Sequence, residues 1–225
     1  GRFTITFNGE VYNFQELRKI LQNKGHKFTS YSDTEVIIHL YEEEGIECIK
    51  KLRGMFALAI WDRNNKTLLL ARDRFGKKPL LYSFKEGIFS FASEFNALLA
   101  CPNIRKEINL KAIPDYMTFG YIPAPESIYS GVYKLLPGHI LILKDREVKI
   151  QRYWQLEYKK KNNISFQEAA DKTEELLREA VKIRLYSDVP LGVFLSGGID
   201  SSTIVGLMAK LNPGNKIKTF SIGFD

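Results

Sequence analysis

Leu191-Gly192-Val193-Phe194-Leu195-Ser196-Gly197-Gly198-Ile199-Asp200-Ser201-Ser202 joins a short run without a polar residue to a glycine-serine turn. An apolar run of this length reads as a parallel strand covered on both faces. A helical pattern follows at Ile204–Leu211, Pro213-Gly214 breaks it, and Ile217–Ile222 reads as the next strand. Strand, loop, helix and strand in this order open a parallel α/β sheet, whose ligands sit at the carboxyl ends of the strands. Gly197 and Gly198 let the backbone approach a polyanion. Ser201 and Ser202 start a helix whose free N–H groups and dipole favour phosphate. The hydroxyls of Ser196, Ser201 and Ser202 can add hydrogen bonds. The charge of Asp200 would repel phosphate on its own, so it reads as an anchor behind the site or a partner for Mg²⁺. The Gly-x4-Gly-Lys-Ser/Thr pattern is absent. The loop is therefore of another type and need not transfer a terminal phosphate.

Working outward, Ser165 and Glu168 form a capping box for a helix running to about Leu185, with Ala169, Ala170, Thr173, Leu176, Leu177, Ala180 and Val181 on one face. Residues 158–164 are polar and read as a linker. Residues 1–157 read as α+β. A strand at Phe3–Phe7 meets a turn at Asn8-Gly9-Glu10. Asn13 with Glu16, and Ser32 with Glu35, cap two helices that end at Gly25 and Gly45. Strands follow at Met55–Asp62, Thr67–Ala71, Leu80–Phe84 and Ile88–Ala92. Ser93 and Asn109 cap short helices, and Ile140–Leu143 pairs with Val148–Tyr153.

The 225 residues are 44% hydrophobic and 26% charged, a balance that builds a globular core. No apolar run reaches the roughly 18 residues of a membrane span. The net charge of +7 is diffuse, and its densest cluster, Lys159-Lys160-Lys161, reads as solvated linker, so nucleic acid is not an expected partner. Cys48 and Cys101 lack metal or redox spacing, which places the chain in a reducing cytoplasm. Cys48 sits in an apolar pattern with Ile46, Ile49 and Leu52, as a buried small hydrophobe would.

Ser196-Gly197-Gly198-Ile199-Asp200-Ser201 resembles the S-G-G-x-D-S loop of ATP pyrophosphatases. Phe220-Ser221-Ile222-Gly223-Phe224, Phe7-Asn8-Gly9-Glu10-Val11-Tyr12-Asn13, Ser32-Asp33-Thr34-Glu35, Gly54-Met55-Phe56-Ala57, Arg72-Asp73-Arg74-Phe75-Gly76 and Leu136-Pro137-Gly138-His139 are similar, in order, to glutamine-hydrolysing asparagine synthetases. The resemblance implies an incomplete αββα sandwich of the N-terminal-nucleophile glutaminase type over 1–157, and the start of an ATP-pyrophosphatase-type parallel α/β domain over 165–225. It implies glutamine, aspartate and ATP as substrates, with Mg²⁺. Glutamine yields ammonia, aspartate is adenylated, and ammonia displaces AMP. Asn8 and Gly9 resemble the oxyanion hole, and Glu10 and Asp33 the carboxylates around the glutamine α-amino group. Leu195, Ser196, Gly197, Gly198, Asp200, Ser201 and Ile222 resemble the ATP-binding positions. Arg72-Asp73-Arg74-Phe75-Gly76 marks the family but reads as an organiser of a turn. A homodimer of the full-length protein is left open.

The family nucleophile is an N-terminal cysteine, whereas this chain opens with Gly1. The chain is expected to be a fragment lacking both ends, inactive alone, and poorly folded where truncated sheets expose edges. An amidotransferase acting on another carboxylate, or a non-catalytic paralogue, remain as alternatives.

Overall fold

The computed structural model describes residues 1–158, 163–187, 189–214 and 216–223. Lys159-Lys160-Lys161 and most of the expected linker lie outside these residues. The chain divides into two compact units, Gly1–Leu156 and Glu157–Asp225.

The first unit begins with β1 (Phe3–Val11), followed by α1 (Phe14–Asn23), α2 (Asp33–Glu44) and a 3-10 helix (Gly45–Lys51). Next come β2 (Gly54–Asp62), β3 (Thr67–Arg72), β4 (Leu81–Lys85), β5 (Ile88–Ala92) and α3 (Phe95–Leu99). A short 3-10 turn leads into α4 (Ile113–Phe119), then β6 (Tyr133–Lys134), β7 (His139–Lys144) and β8 (Glu147–Arg152). One antiparallel sheet has the order β1-β2-β3-β7-β8, and a smaller one β5-β4-β6.

Strand alternation builds the layers. Phe56, Leu58 and Ile60 of β2, Leu69 and Ala71 of β3, and Ile140 of β7 face α1 and α2, where Leu21, Ile37 and Leu40 complete the cluster. Ala57, Ala59, Leu70 and Leu141 point the other way, onto Leu80, Leu135, Tyr82 and Phe91 of the smaller sheet and its flanks. Leu81 faces outward again, onto Leu98 of α3, Ile104 and Val132. The layers are helix, sheet, sheet and helix, as the αββα expectation has it.

Three local expectations fail, each for a long-range reason. Asn8-Gly9-Glu10 is not a turn. β1 runs through it, pairing Asn8 with Ala57, Gly9 with Phe56 and Glu10 with Met55. Asn13 makes no side-chain cap to α1. Its side-chain oxygen takes the Arg53 N–H (2.9 Å) and its amide donates to Lys51 O (3.0 Å). Ser93 does not cap α3, whose N-cap is Glu94. Ser32 does cap α2, by accepting from Thr34 N–H, and Gly45 ends that helix with φ 57°.

The second unit contains α5 (Phe166–Arg184), β9 (Gly192–Phe194), α6 (Ile199–Leu211) and β10 (Lys218–Phe220). The Ser165–Glu168 capping box forms on α5. β9 and β10 pair in parallel, Phe194 opposite Phe220. Val181, Leu207 and Met208 are the buried residues of this unit's cluster. The expected double covering of β9 is not seen among the described residues, since Phe194 is 77% exposed. Of the expected α5 face, Val181 alone is buried, and Leu176 is exposed.

Candidate functional site

In the first unit, four expected site residues gather around the end of β1. Tyr12 N–H donates to Arg53 O (2.8 Å) and Arg63 N–H to Arg2 O (3.0 Å). Antiparallel pairs alternate between hydrogen-bonded and open positions. Even-numbered residues of β1 therefore bond to β2, and odd-numbered ones turn their N–H groups to the sheet edge, where β1 is the terminal strand. Val11 N–H does so and meets Asp33 Oδ2 at 2.9 Å. By the same alternation Gly9 N–H faces that edge. The Asn8 amide donates to Ser93 Oγ (3.1 Å), and an NH₂ group has a second hydrogen to give. Glu10 is exposed on the same strand.

Glycine is required here. Gly9 has φ 150°, and a Cβ on it would lie 2.0 Å from Met55 O. Across the pair, a Cβ on Gly54 would lie 1.9 Å from Glu10 O. Gly9 stands opposite Phe56 and Gly54 opposite Val11, and at both positions the neighbouring backbone leaves no room for a side chain.

Asp33 is held by its own surroundings. The connection before α2 is fastened by the Glu35 carboxylate, which accepts from Thr29 N–H (2.7 Å), Thr29 Oγ1 (2.8 Å), Ser30 N–H (2.7 Å) and Ser30 Oγ (2.6 Å). Burial pushes the Glu35 carboxyl up, but these four bonds outweigh it and hold its pKa down at about 2. The Arg18 guanidinium lies over Phe28 and Tyr31 and donates to Ser30 O. Asp33 then begins α2 within reach of β1.

Arg72-Asp73-Arg74-Phe75-Gly76 organises the turn after β3. Asp73, 1% exposed, accepts from the backbone N–H groups of Phe56, Phe75, Lys77 and Lys78 at 3.0–3.2 Å. Arg72 spends its fork on the carbonyls of Lys78, Leu135 and Gly76, and Arg74 on those of Leu52 and Lys50. Both guanidinium groups are thus committed to main-chain carbonyls. A cavity of about 640 Å³ lies beside this turn, lined by Arg72, Leu80, Ser93, Phe95 and Lys134 among others. Its wall includes Ser93, the partner of Asn8. Sequence reasoning missed that role because serine before a helix reads as a cap.

Cys48 offers no nucleophile. Cys48 is fully buried, and burial, reinforced by Glu44 and Glu47, pushes its thiol up to about 12. Cys101 packs beside Leu98 and Ile104.

In the second unit, Ser196–Ser202 joins β9 to α6. Gly197 takes φ 81°, and Gly198 is the helix N-cap without a side-chain bond. Ser202 N–H donates to Gly198 O, leaving the earlier N–H groups of the helix exposed at its first turn. The Ser201 hydroxyl donates to Gly198 O (3.1 Å) and accepts from Ser196 N–H (3.3 Å), and Ser196 Oγ lies 3.0 Å from Ser201 Oγ. These two hydroxyls close the loop on itself. Main-chain N–H groups are left as the chief donors toward an anion. Asp200 is exposed in this turn. Leu195 N–H bonds Phe220 O, and Ser221 Oγ donates to Leu195 O, which brings Leu195 and the segment of Ile222 side by side. Ile222 is 80% exposed rather than sheet core.

A family model described as glutamine amidotransferase domain matches residues 1–154. The chain belongs to the glutamine amidotransferase domain family. A second model, asparagine synthase, matches residues 172–225. The chain is 41% identical to a protein of Methanocaldococcus jannaschii named putative asparagine synthetase [glutamine-hydrolyzing] 2, over 98% of this chain and 43% of that protein. It is 39% identical to asparagine synthetase [glutamine-hydrolyzing] 3 of Bacillus subtilis, over 92% of this chain and 34% of the relative. It is 36% identical to amidase chyE of Penicillium rubens, over 97% and 34% respectively. The chain thus spans less than half the length of these relatives. Among the described residues, no helix is long and apolar enough to cross a membrane.

Proposed function

We propose that this chain is part of an enzyme that makes asparagine from aspartate, ATP and glutamine-derived ammonia. The observation that carries the reading is the edge of β1, where the Gly9 N–H and the Asn8 amide point from adjacent residues and Asp33 stands two positions on. When a nucleophile attacks the glutamine amide, the carbonyl oxygen becomes an oxyanion. Donors fixed in advance at that oxygen are typically worth about 3 kcal/mol each. Asn8 and Gly9 supply them. Glu10 and Asp33 accept hydrogen bonds from the substrate ammonium. Asp33 has capacity beyond the Val11 N–H, because a carboxylate offers about four acceptor sites. The thiol nucleophile is not Cys48.

At Ser196–Ser202 the α6 N–H groups and the glycine backbone bind the departing pyrophosphate. The aspartate side-chain carboxylate attacks the α-phosphorus, and the bond to the β-phosphate breaks. Ammonia then attacks the acyl carbon and AMP leaves. One exposed carboxylate, Asp200, among oxygen donors fits Mg²⁺, which is held by one or two carboxylates together with substrate phosphates. The ion would neutralise charge on those phosphates. Leu195 and Ile222 pack against the base. Amidase chyE is not named for asparagine synthesis, and a second reading has an acceptor carboxylate other than aspartate.

In the full-length protein, Asn8→Ala is expected to lower kcat for glutamine hydrolysis about 10²–10³-fold. Asparagine formation from added ammonium salt should remain. An unchanged glutamine-dependent rate would sink the oxyanion assignment. Amidation of another carboxylate in place of aspartate would select the second reading.

A further inference from the structure

His26 follows α1 and His39 lies in α2, 13 residues apart and without a metal-binding spacing in sequence. The fold sets their imidazoles edge to face, with centroids 5.0 Å apart and Nδ1 2.9 Å from Nδ1. Each ring has a carboxylate on its outer side. His26 Nε2 is 2.9 Å from Glu43 Oε1, and His39 Nε2 is 3.9 Å from Glu35 Oε1. The Glu43 carboxylate, within hydrogen-bond distance of His26 Nε2, favours the proton on that nitrogen, as behind metal-bound histidines. His26 Nδ1 then presents a lone pair to His39 Nδ1 at 2.9 Å. That contact is repulsive unless a cation or a shared proton lies on it.

A third ligand is at hand. One oxygen of Glu42 and one nitrogen of each imidazole lie within 4.8 Å of one another. Tetrahedral zinc, with ligands about 2.0–2.2 Å away, spaces them roughly 3.4 Å apart. The two Nδ1 atoms are a few tenths of an ångström inside that spacing, and Glu42, exposed on α2, has rotamer freedom to close in. The Phe28 ring, centroid 4.5 Å from that of His39, shields one side. Lys24 neutralises the other oxygen of Glu43 at 2.9 Å and leaves Glu42 to the metal.

We propose that His26, His39 and Glu42 bind a divalent transition metal of the zinc type, with water as the fourth ligand. Imidazole with carboxylate suits zinc and its neighbours rather than Mg²⁺ or Ca²⁺. The metal clamps the 24–32 connection onto α2, the segment that delivers Asp33 to β1. It is a structural site and takes no part in the ammonia or ATP chemistry.

The test is Zn²⁺ uptake by the purified metal-free protein in competition with a chromogenic chelator at neutral pH, with Co²⁺ absorption as a report on geometry. The wild-type protein should take up one equivalent at this site and give a tetrahedral Co²⁺ spectrum. His39→Gln should abolish both. Glu43→Gln, which keeps the side-chain shape and touches no metal, should weaken binding about 10–100-fold. Hydrogen exchange of the 26–35 amides should slow on adding Zn²⁺ to the wild type alone. Failure to take up Zn²⁺, or uptake undiminished by His39→Gln in a variant with wild-type circular dichroism, overturns the site. So does a Glu43→Gln affinity equal to wild type.

Discussion

At the scale of single residues, the candidate site depends on two glycines that contribute no side chain. Gly9 of β1 lies opposite Phe56 and Gly54 of β2 opposite Val11, and a Cβ on either glycine would overlap the neighbouring strand's main chain at about 2 Å. Main chain inside a sheet cannot swing away as the end of a flexible side chain can. Gly9→Ala also places alanine at φ 150°. Overpacking and a disfavoured backbone each typically cost about 1–3 kcal/mol. Gly9→Ala is therefore expected to lower the unfolding free energy by about 3 kcal/mol, read from urea denaturation. Gly54→Ala should cost less, because its overlap comes without the φ penalty. A loss below about 1 kcal/mol for Gly9→Ala would mean that the strand pair separates cheaply, and the fixed Gly9 N–H would lose its physical basis.

At the scale of elements, what was legible in the sequence was what is local. The Ser165–Glu168 box spans four residues and forms as read. The α2 stripe of Ile37, Leu40 and Tyr41 is buried as its spacing implies. The misread elements are those whose polar side chains go elsewhere. Asn13 reaches Arg53, 40 residues on, and Ser93 is reached by Asn8 from 85 residues away. Asn8-Gly9 is a strong local hairpin signal, yet pairing with β2 overrides it. The 24–32 connection likewise gave no metal signal, because only the packing of α1 on α2 brings His26 to His39. The β2–β3 hairpin carries an element-scale prediction. Asp62 closes its turn, accepting from Arg2 Nη2 (2.8 Å), Asn64 N–H and the Asn65 amide (2.7 Å). The Arg2 hydrogen bond is the largest cause holding its carboxyl at about 2, below the ordinary 3.8, with the turn N–H groups adding to it against desolvation. A depressed folded-state pKa gives stability that is complete above about pH 4 and is lost as pH falls through 2. Glu35, also at about 2 from an ordinary 4.5, adds in the same direction. The urea midpoint should therefore fall between pH 4.5 and 2. Asp62→Asn should lower stability at neutral pH and flatten that decline. An equally steep acid limb in the variant would assign it to other carboxylates.

At the scale of the whole molecule, the two units differ in how much they bury. In the first, three apolar clusters back both faces of two sheets, and side chains such as Phe56, Ile60, Leu69 and Leu70 are completely enclosed. In the second, Val181, Leu207 and Met208 form the buried cluster, while Phe194, Ile199, Phe220 and Ile222 are exposed. Full burial of one large aliphatic side chain contributes about 1.5–3 kcal/mol. Ordering each residue costs about 1–2 kcal/mol of backbone entropy. The second unit therefore orders its residues against far less burial per residue than the first. Local opening follows the density of buried contacts. In the 225-residue chain, amides of α5 and α6 should exchange with solvent well before those of β2 and β3, and heating should melt the second unit in a separate, earlier step. ATP with Mg²⁺ bound at Ser196–Ser202 would raise that first step by mass action and leave the second unmoved. Protection of α6 equal to that of β2 without nucleotide, or a single transition for the whole chain, would show that the two units stabilise each other, and the burial of each taken alone would no longer explain its stability.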